Sequence, residues 1–73
     1  IIFSPFNLVE LNLNYNNLKS INSSTFETCS NLIKLDLSFN QIEELNRLNG
    51  CEKLEEFYLK SNKIRKIESK CFE

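Results

Sequence analysis

The chain has 73 residues, a formal net charge of −1, one Gly, one Pro, three Cys and no His. That length allows one small domain with little core of its own, and the near-neutral charge leaves no global field to draw in nucleic acid or an acidic membrane. The missing His removes the commonest general base and the commonest metal ligand, and no apolar run approaches the roughly 20 residues that a membrane-spanning helix needs.

The opening stretch IIFSPF is too short for a signal peptide, and nothing basic precedes it. The first predicted element lies in NLVELNLNYNNL, residues 7–18. Its Leu11 and Leu13 alternate with polar residues, which predicts a short strand with both leucines on one side. A return segment follows, with Ile21 and Phe26 as its inward residues. The same reading recurs in NLIKLDLSFNQI, residues 31–42, with Leu35 and Leu37 on the strand and Leu45 and Leu48 on the return. It recurs again in KLEEFYLKSNKI, residues 53–64, with Phe57 and Leu59, then Ile67 and Phe72.

Set beneath one another, the three segments share apolar residues at the second, fifth, seventh and last places and Asn at the tenth. Units begin at Leu8, Leu32 and Leu54, giving periods of 24 and 22 residues. The chain therefore divides into the tail of a preceding unit (1–7), two full units (8–31 and 32–53) and an incomplete one (54–73). No unit can bury its apolar face alone, and stacked strands at a spacing of about 4.8 Å make one continuous core. Asn16, Asn40 and Asn62 fall where each strand turns inward, and an amide there satisfies backbone groups that the bend leaves unpaired.

The pattern LxxLxLxxNxL, three times in phase across essentially the whole chain, resembles the leucine-rich repeat family. The resemblance implies an α/β solenoid: a right-handed superhelix with a short parallel β-sheet on its concave face and irregular or short helical return segments. It also implies that Asn16, Asn40 and Asn62 form a structural Asn ladder. The first unit continues with Phe26 and Cys29, like the 24-residue class common in extracellular receptors and adhesion proteins such as the Toll-like receptors. The 22-residue middle unit is similar instead to an intracellular class. The expectation is an extracellular or cell-surface segment of a longer solenoid, with an intracellular scaffold or regulatory subunit, or a spacer without ligand contact, as alternatives.

Binding to a protein partner is the expected activity, through residues projecting from the concave sheet. These are Glu10, Asn12, Asn14 and Tyr15 in the first unit; Lys34, Asp36, Ser38 and Phe39 in the second; and Glu56, Tyr58, Lys60 and Ser61 in the third. Mixed charge with aromatic residues suits a protein interface, whereas Glu10, Lys34 and Glu56 read equally well as a cross-strand charge ladder that supports the sheet. Cys29 and Cys51 occupy a column where the family usually has Leu, and read as small buried apolar residues. Cys71 breaks that column, and three Cys without His or CxxC spacing form no zinc site. Asn22-Ser23-Ser24 is a candidate N-glycosylation site on a return segment. The basic run from Lys60 to Lys70 is interrupted by acids and core isoleucines and lacks a base-stacking platform, so it reads as a solvated flank rather than a nucleic-acid site. Glu43 and Glu44 are adjacent and cannot flank one reacting atom, and no base accompanies the Ser and Thr residues. No enzyme activity, cofactor or membrane insertion is expected of this segment.

Overall fold

Three strands form where the alternation is strongest, and in each a single apolar residue points inward between two polar ones. The computed structural model describes residues 7–68. In it, β1 (Glu10–Asn12) centres on Leu11, β2 (Lys34–Asp36) on Leu35, and a third strand of the same kind on Phe57. Between the last two lies β3 (Glu44–Leu45); the Phe57 strand is therefore β4 (Glu56–Tyr58), and β5 (Lys66–Ile67) follows. β1, β2 and β4 form one parallel sheet in that order, with Leu11 beside Leu35 and Leu35 beside Phe57. β3 and β5 form a second parallel pair, with Leu45 beside Ile67.

Each coil is bonded to the next well beyond the strands. Past the sheet, the Leu13 N–H donates to the Asp36 carbonyl at 2.8 Å and the Leu37 N–H to the Tyr58 carbonyl at 2.8 Å. On the far side of the corner, the Gln41 N–H donates to Leu18 at 2.9 Å and the Lys63 N–H to Ile42 at 3.0 Å. Backbone polarity is thus satisfied between coils, which lets the chain run through a core without helix or wide sheet.

Among the described residues there is no α-helix. The first return segment instead descends through i to i+3 turns, with N–H groups of Thr25, Glu27 and Cys29 donating to the carbonyls of Asn22, Ser24 and Phe26. Its apolar residues explain this: Ile21, Phe26 and Cys29 are spaced by five and three, which places no continuous stripe on a helix. The expected α/β solenoid is here a stack of strands and turns.

The core joins Ile21, Phe26 and Cys29 of the first coil to the middle coil, which holds its most deeply buried residues. Leu32, Leu35, Leu37 and Ile42 are 0–1% exposed, because a coil covers them on either side. Their counterparts Leu8, Leu11, Leu13 and Leu18, and Leu54, Phe57, Leu59 and Ile64, are half-buried against them. Ile67, expected inward, is 56% exposed, since no described residue lies on the outer side of the third coil. The expected inward Phe72, and Phe3, Phe6 and Cys71, lie outside the described residues.

Gly50 sits against the backbone of Glu27 in the preceding coil. Its φ is +85°, and a Cβ there would stand 2.0 Å from the Glu27 carbonyl oxygen. Gly50→Ala should therefore cost more than about 1 kcal/mol through strain and displaced backbone. Leu37→Ala, which opens a hole in the fully covered middle coil, should cost about 2–5 kcal/mol by cavity formation. Urea denaturation of each variant checks both, with Val9→Ala on the exposed side expected to be nearly silent.

Candidate functional site

Each strand of the β1–β2–β4 sheet leads into a corner of the same shape. Tyr15, Phe39 and Ser61 have φ of 55°, 58° and 57°, and each directly precedes the repeated Asn. A left-handed residue reverses the chain there, so that the following Asn turns inward. For a residue other than Gly or Asn this conformation costs roughly 1–2 kcal/mol. Two of the three corners place an aromatic ring in that strained position.

The Asn side chains hold those corners. Asn40 is 6% exposed. Its Nδ2 donates to the carbonyls of Leu37 and Ser38 in its own coil and of Leu13 in the coil before, at 2.9, 3.3 and 3.1 Å. Its Oδ1 accepts the Leu18 N–H of that preceding coil at 3.1 Å. Asn62 repeats the arrangement one step on: its Nδ2 donates to Leu59 and Leu37, and its Oδ1 accepts the Ile42 N–H. Asn16 is exposed and, among the described residues, reaches only the carbonyls of Leu13 and Asn14 in its own coil.

The side chains before and within these corners make the β1–β2–β4 face. Tyr15 and Phe39 stack in parallel, with ring centroids 4.4 Å apart and an interplanar angle of 5°. The Lys60 ammonium lies 5.9 Å from the Phe39 ring centre, and Lys34 lies 5.7 Å from that of Tyr58. The Tyr58 hydroxyl donates to Glu56 Oε1 at 2.6 Å, which holds the phenol above its ordinary pKa because its proton is shared with a carboxylate. Tyr15 is 71% exposed and Tyr58 42%, while Phe39 is half-buried. Glu10, Asn12, Glu56, Lys60 and Ser61 are exposed, and Asn14, Lys34 and Asp36 are half-buried.

Ser38 departs from the expectation that it projects with the others. It is 5% exposed, and its hydroxyl accepts the Lys60 N–H at 3.2 Å. A short polar side chain beside the strand end folds back onto the neighbouring coil, so Ser38 is part of the frame rather than of the open face. Asp36 Oδ1 accepts the Ser38 N–H at 2.9 Å, and Asn12 Oδ1 accepts the Asn14 N–H at 3.0 Å in the same way. The bond from the Ser38 backbone, aided by its hydroxyl and by Lys34, lowers the Asp36 pKa. Lys34 makes no ion pair with Glu10 or Glu56; among the described residues the ion pairs are Arg65–Glu43 at 3.1 Å and Lys66–Glu44 at 3.8 Å, on the β3–β5 flank. Part of the basic run is therefore paired to acids of the middle coil.

The remaining candidates fall off this face. Cys29 and Cys51 are free thiols, the first buried and the second half-buried. The Cys51 thiol donates to the Phe26 carbonyl at 3.4 Å, and burial, with Cys29 nearby, pushes its pKa up. Asn22 is exposed on the return segment, where its Oδ1 accepts the Ser24 N–H at 2.9 Å and caps the turn. Among the described residues no group of three His, Cys, Asp or Glu is placed to hold a metal ion, and no helix is long and apolar enough to cross a membrane.

Comparison with known families gives one match: the leucine rich repeat model covers residues 6–64. Neither a curated protein nor a solved structure matches the chain.

Two predictions follow from this geometry. Asn40→Ala leaves the Leu18 N–H without its acceptor and takes one donor from the carbonyls of Leu13, Leu37 and Ser38, which keep Asn16, Asn62 and Tyr15 as donors; it should cost about 1–3 kcal/mol, against under about 1 kcal/mol for Asn16→Ala, and thermal unfolding of the two variants compares them. Because the folded pKa of Asp36 lies below its unfolded value, its contribution is full above the ordinary carboxylate pKa and is lost as pH falls through the lowered one. The acid limb of stability should flatten in Asp36→Asn, as read from Tm between pH 5 and pH 2.

Proposed function

This chain belongs to the leucine-rich repeat family, and from that premise we propose that it is a non-enzymatic segment of a receptor or secreted protein that binds a protein partner through the β1–β2–β4 face. Members of such repeat classes use an extended concave surface for binding, and the sheet face is its counterpart in this stack. The observation that carries the reading is the aromatic corner pair. Tyr15 and Phe39 occupy strained backbone positions, yet the Tyr15 ring covers no core and stands 71% exposed. The ladder imposes this backbone at all three corners, Ser61 included, so the pointer to use is the exposed ring itself, which adds little to packing and is of a type enriched at the centres of protein interfaces. The partner-binding set is then Glu10, Asn12, Asn14, Tyr15, Lys34, Asp36, Phe39, Glu56, Tyr58, Lys60 and Ser61.

An extracellular setting is supported by the 24-residue first unit and by the exposed Asn22 of the sequon. The free Cys29 and Cys51 and the 22-residue middle unit favour the second reading, an intracellular scaffold.

Two measurements test these statements separately. Replacing Tyr15, Phe39 and Tyr58 together by Ala should weaken binding to a partner captured from the source by at least about tenfold, at about 1.4 kcal/mol per decade; unchanged affinity makes these coils a spacer. A non-reducing peptide map of the protein isolated from its source should carry a glycan on Asn22. A bare Asn22 together with free thiols throughout supports the intracellular scaffold.

A further inference from the structure

Asn49 and Gly50 form a turn on the return segment of the middle coil, and both are held against the first coil. The Asn49 N–H donates to the Ser23 carbonyl at 2.8 Å. Gly50 takes a φ of +85° beside the Glu27 backbone, where a Cβ would run into the carbonyl oxygen. A glycine is therefore required at this point of the return, and the residue before it is an asparagine.

That pair carries its own electrophile and nucleophile. The Asn49 amide carbon is one short side chain away from the Gly50 backbone nitrogen, and joining the two closes a succinimide ring. A side chain on the following residue hinders this approach, and among the chain's asparagines Asn49 alone precedes a glycine. Asn49 is exposed, and no hydrogen bond among the described residues holds its side chain. The Gly50 N–H donates to no described carbonyl. Asn22 offers the contrast: Ser23 follows it, and its Oδ1 accepts the Ser24 N–H and the hydroxyls of Ser24 and Thr25. Asn40 and Asn62 are tied into the ladder.

We propose that Asn49 is a site of spontaneous conversion to isoaspartate, and that this modification uncouples the middle coil's return segment from Ser23 and Glu27 of the first coil. The Gly50 nitrogen bonds to the Asn49 Cγ, the Cγ–Nδ2 bond breaks, and Nδ2 leaves as ammonia with the proton that Gly50 gives up. Water then opens the ring. Attack at Cγ restores the ordinary peptide bond, with aspartate in place of asparagine. Attack at the main-chain carbonyl instead routes the backbone through Cβ and Cγ. Water is the only co-reactant, and nothing is oxidised or reduced. Both products carry a carboxylate that is ionised at neutral pH, but only the second lengthens the main chain, by about 1.5 Å. The added carbon falls between two points fixed to the first coil, the Asn49 N–H at Ser23 and the Gly50 Cα at Glu27. Both cannot keep their places. The site lies off the β1–β2–β4 face, and its chemistry is independent of any partner bound there.

The test holds the folded protein, checked by circular dichroism, in mildly alkaline buffer at body temperature and follows it by peptide mapping that resolves aspartyl from isoaspartyl peptides. Asn49 should convert at least about tenfold faster than Asn22, each event adding a single dalton, with isoaspartate among the products. Asn49→Gln should abolish the conversion and leave Tm unchanged. The isoaspartyl form, isolated by chromatography, should melt at least about 4 °C below Asn49→Asp, which has the same charge without the added carbon. Three results overturn the proposal: Asn49 retained, aspartate as its only product, or an isoaspartyl form as stable as Asn49→Asp.

Discussion

The amide of Asn40 is the constraint around which the rest of the chain is arranged. A strand that stops after three residues and turns into a core leaves carbonyls and N–H groups facing apolar side chains, where each unpaired group is costly. Asn40 answers with donors to both its own coil and the one before, and with an acceptor for the Leu18 N–H. Asn62 does the same for the middle coil through Ile42 and Leu37. An amide is suited to this because it donates and accepts from one rigid plane; a carboxylate would face the carbonyls with no donor. The bridges also set the pitch of the stack, and with it which side chains stand beside one another on the sheet.

From that pitch the functional face follows. Turning the Asn inward requires the residue before it to adopt a left-handed conformation, which throws Tyr15, Phe39 and Ser61 outward at equal intervals. Two rings so placed stack at 4.4 Å, close to the spacing of neighbouring strands. The surface aromatic pair is thus a geometric consequence of the buried ladder, and a partner that engages it reads a feature the frame keeps rigid. The same regular step brings Glu43 to Arg65 and Glu44 to Lys66, so charge order on the flank is tied to coil order.

Much of this was legible from residue spacing. The alternation at Leu11 and Leu13, Leu35 and Leu37, and Phe57 and Leu59 locates the three strands, and the repeat makes them parallel neighbours. The return segments were less legible, because a spacing of five and three residues between Ile21, Phe26 and Cys29 names no single conformation; the structure resolves it as consecutive turns. Ser38 shows a further limit. Period-two alternation assigns it to the open side, but the corner at Phe39 breaks that period, and its hydroxyl meets the Lys60 N–H in the neighbouring coil. The corner itself had a usable signal, the fixed place before each Asn, although Tyr and Phe are poor advertisements for a left-handed residue. Gly50 carried a clue of the same kind: the one glycine of the chain lies where a Cβ would run into the Glu27 backbone.

The most direct test of the account is amide hydrogen exchange at the N–H groups that the Asn side chains receive. Leu18 and Ile42 should be protected to nearly the level of the Leu37 amide just past β2, and Asn40→Ala should deprotect Leu18 while leaving Ile42, which depends on Asn62, slow to exchange. Rapid exchange at both amides in the unaltered chain would contradict a stack held together through its asparagines.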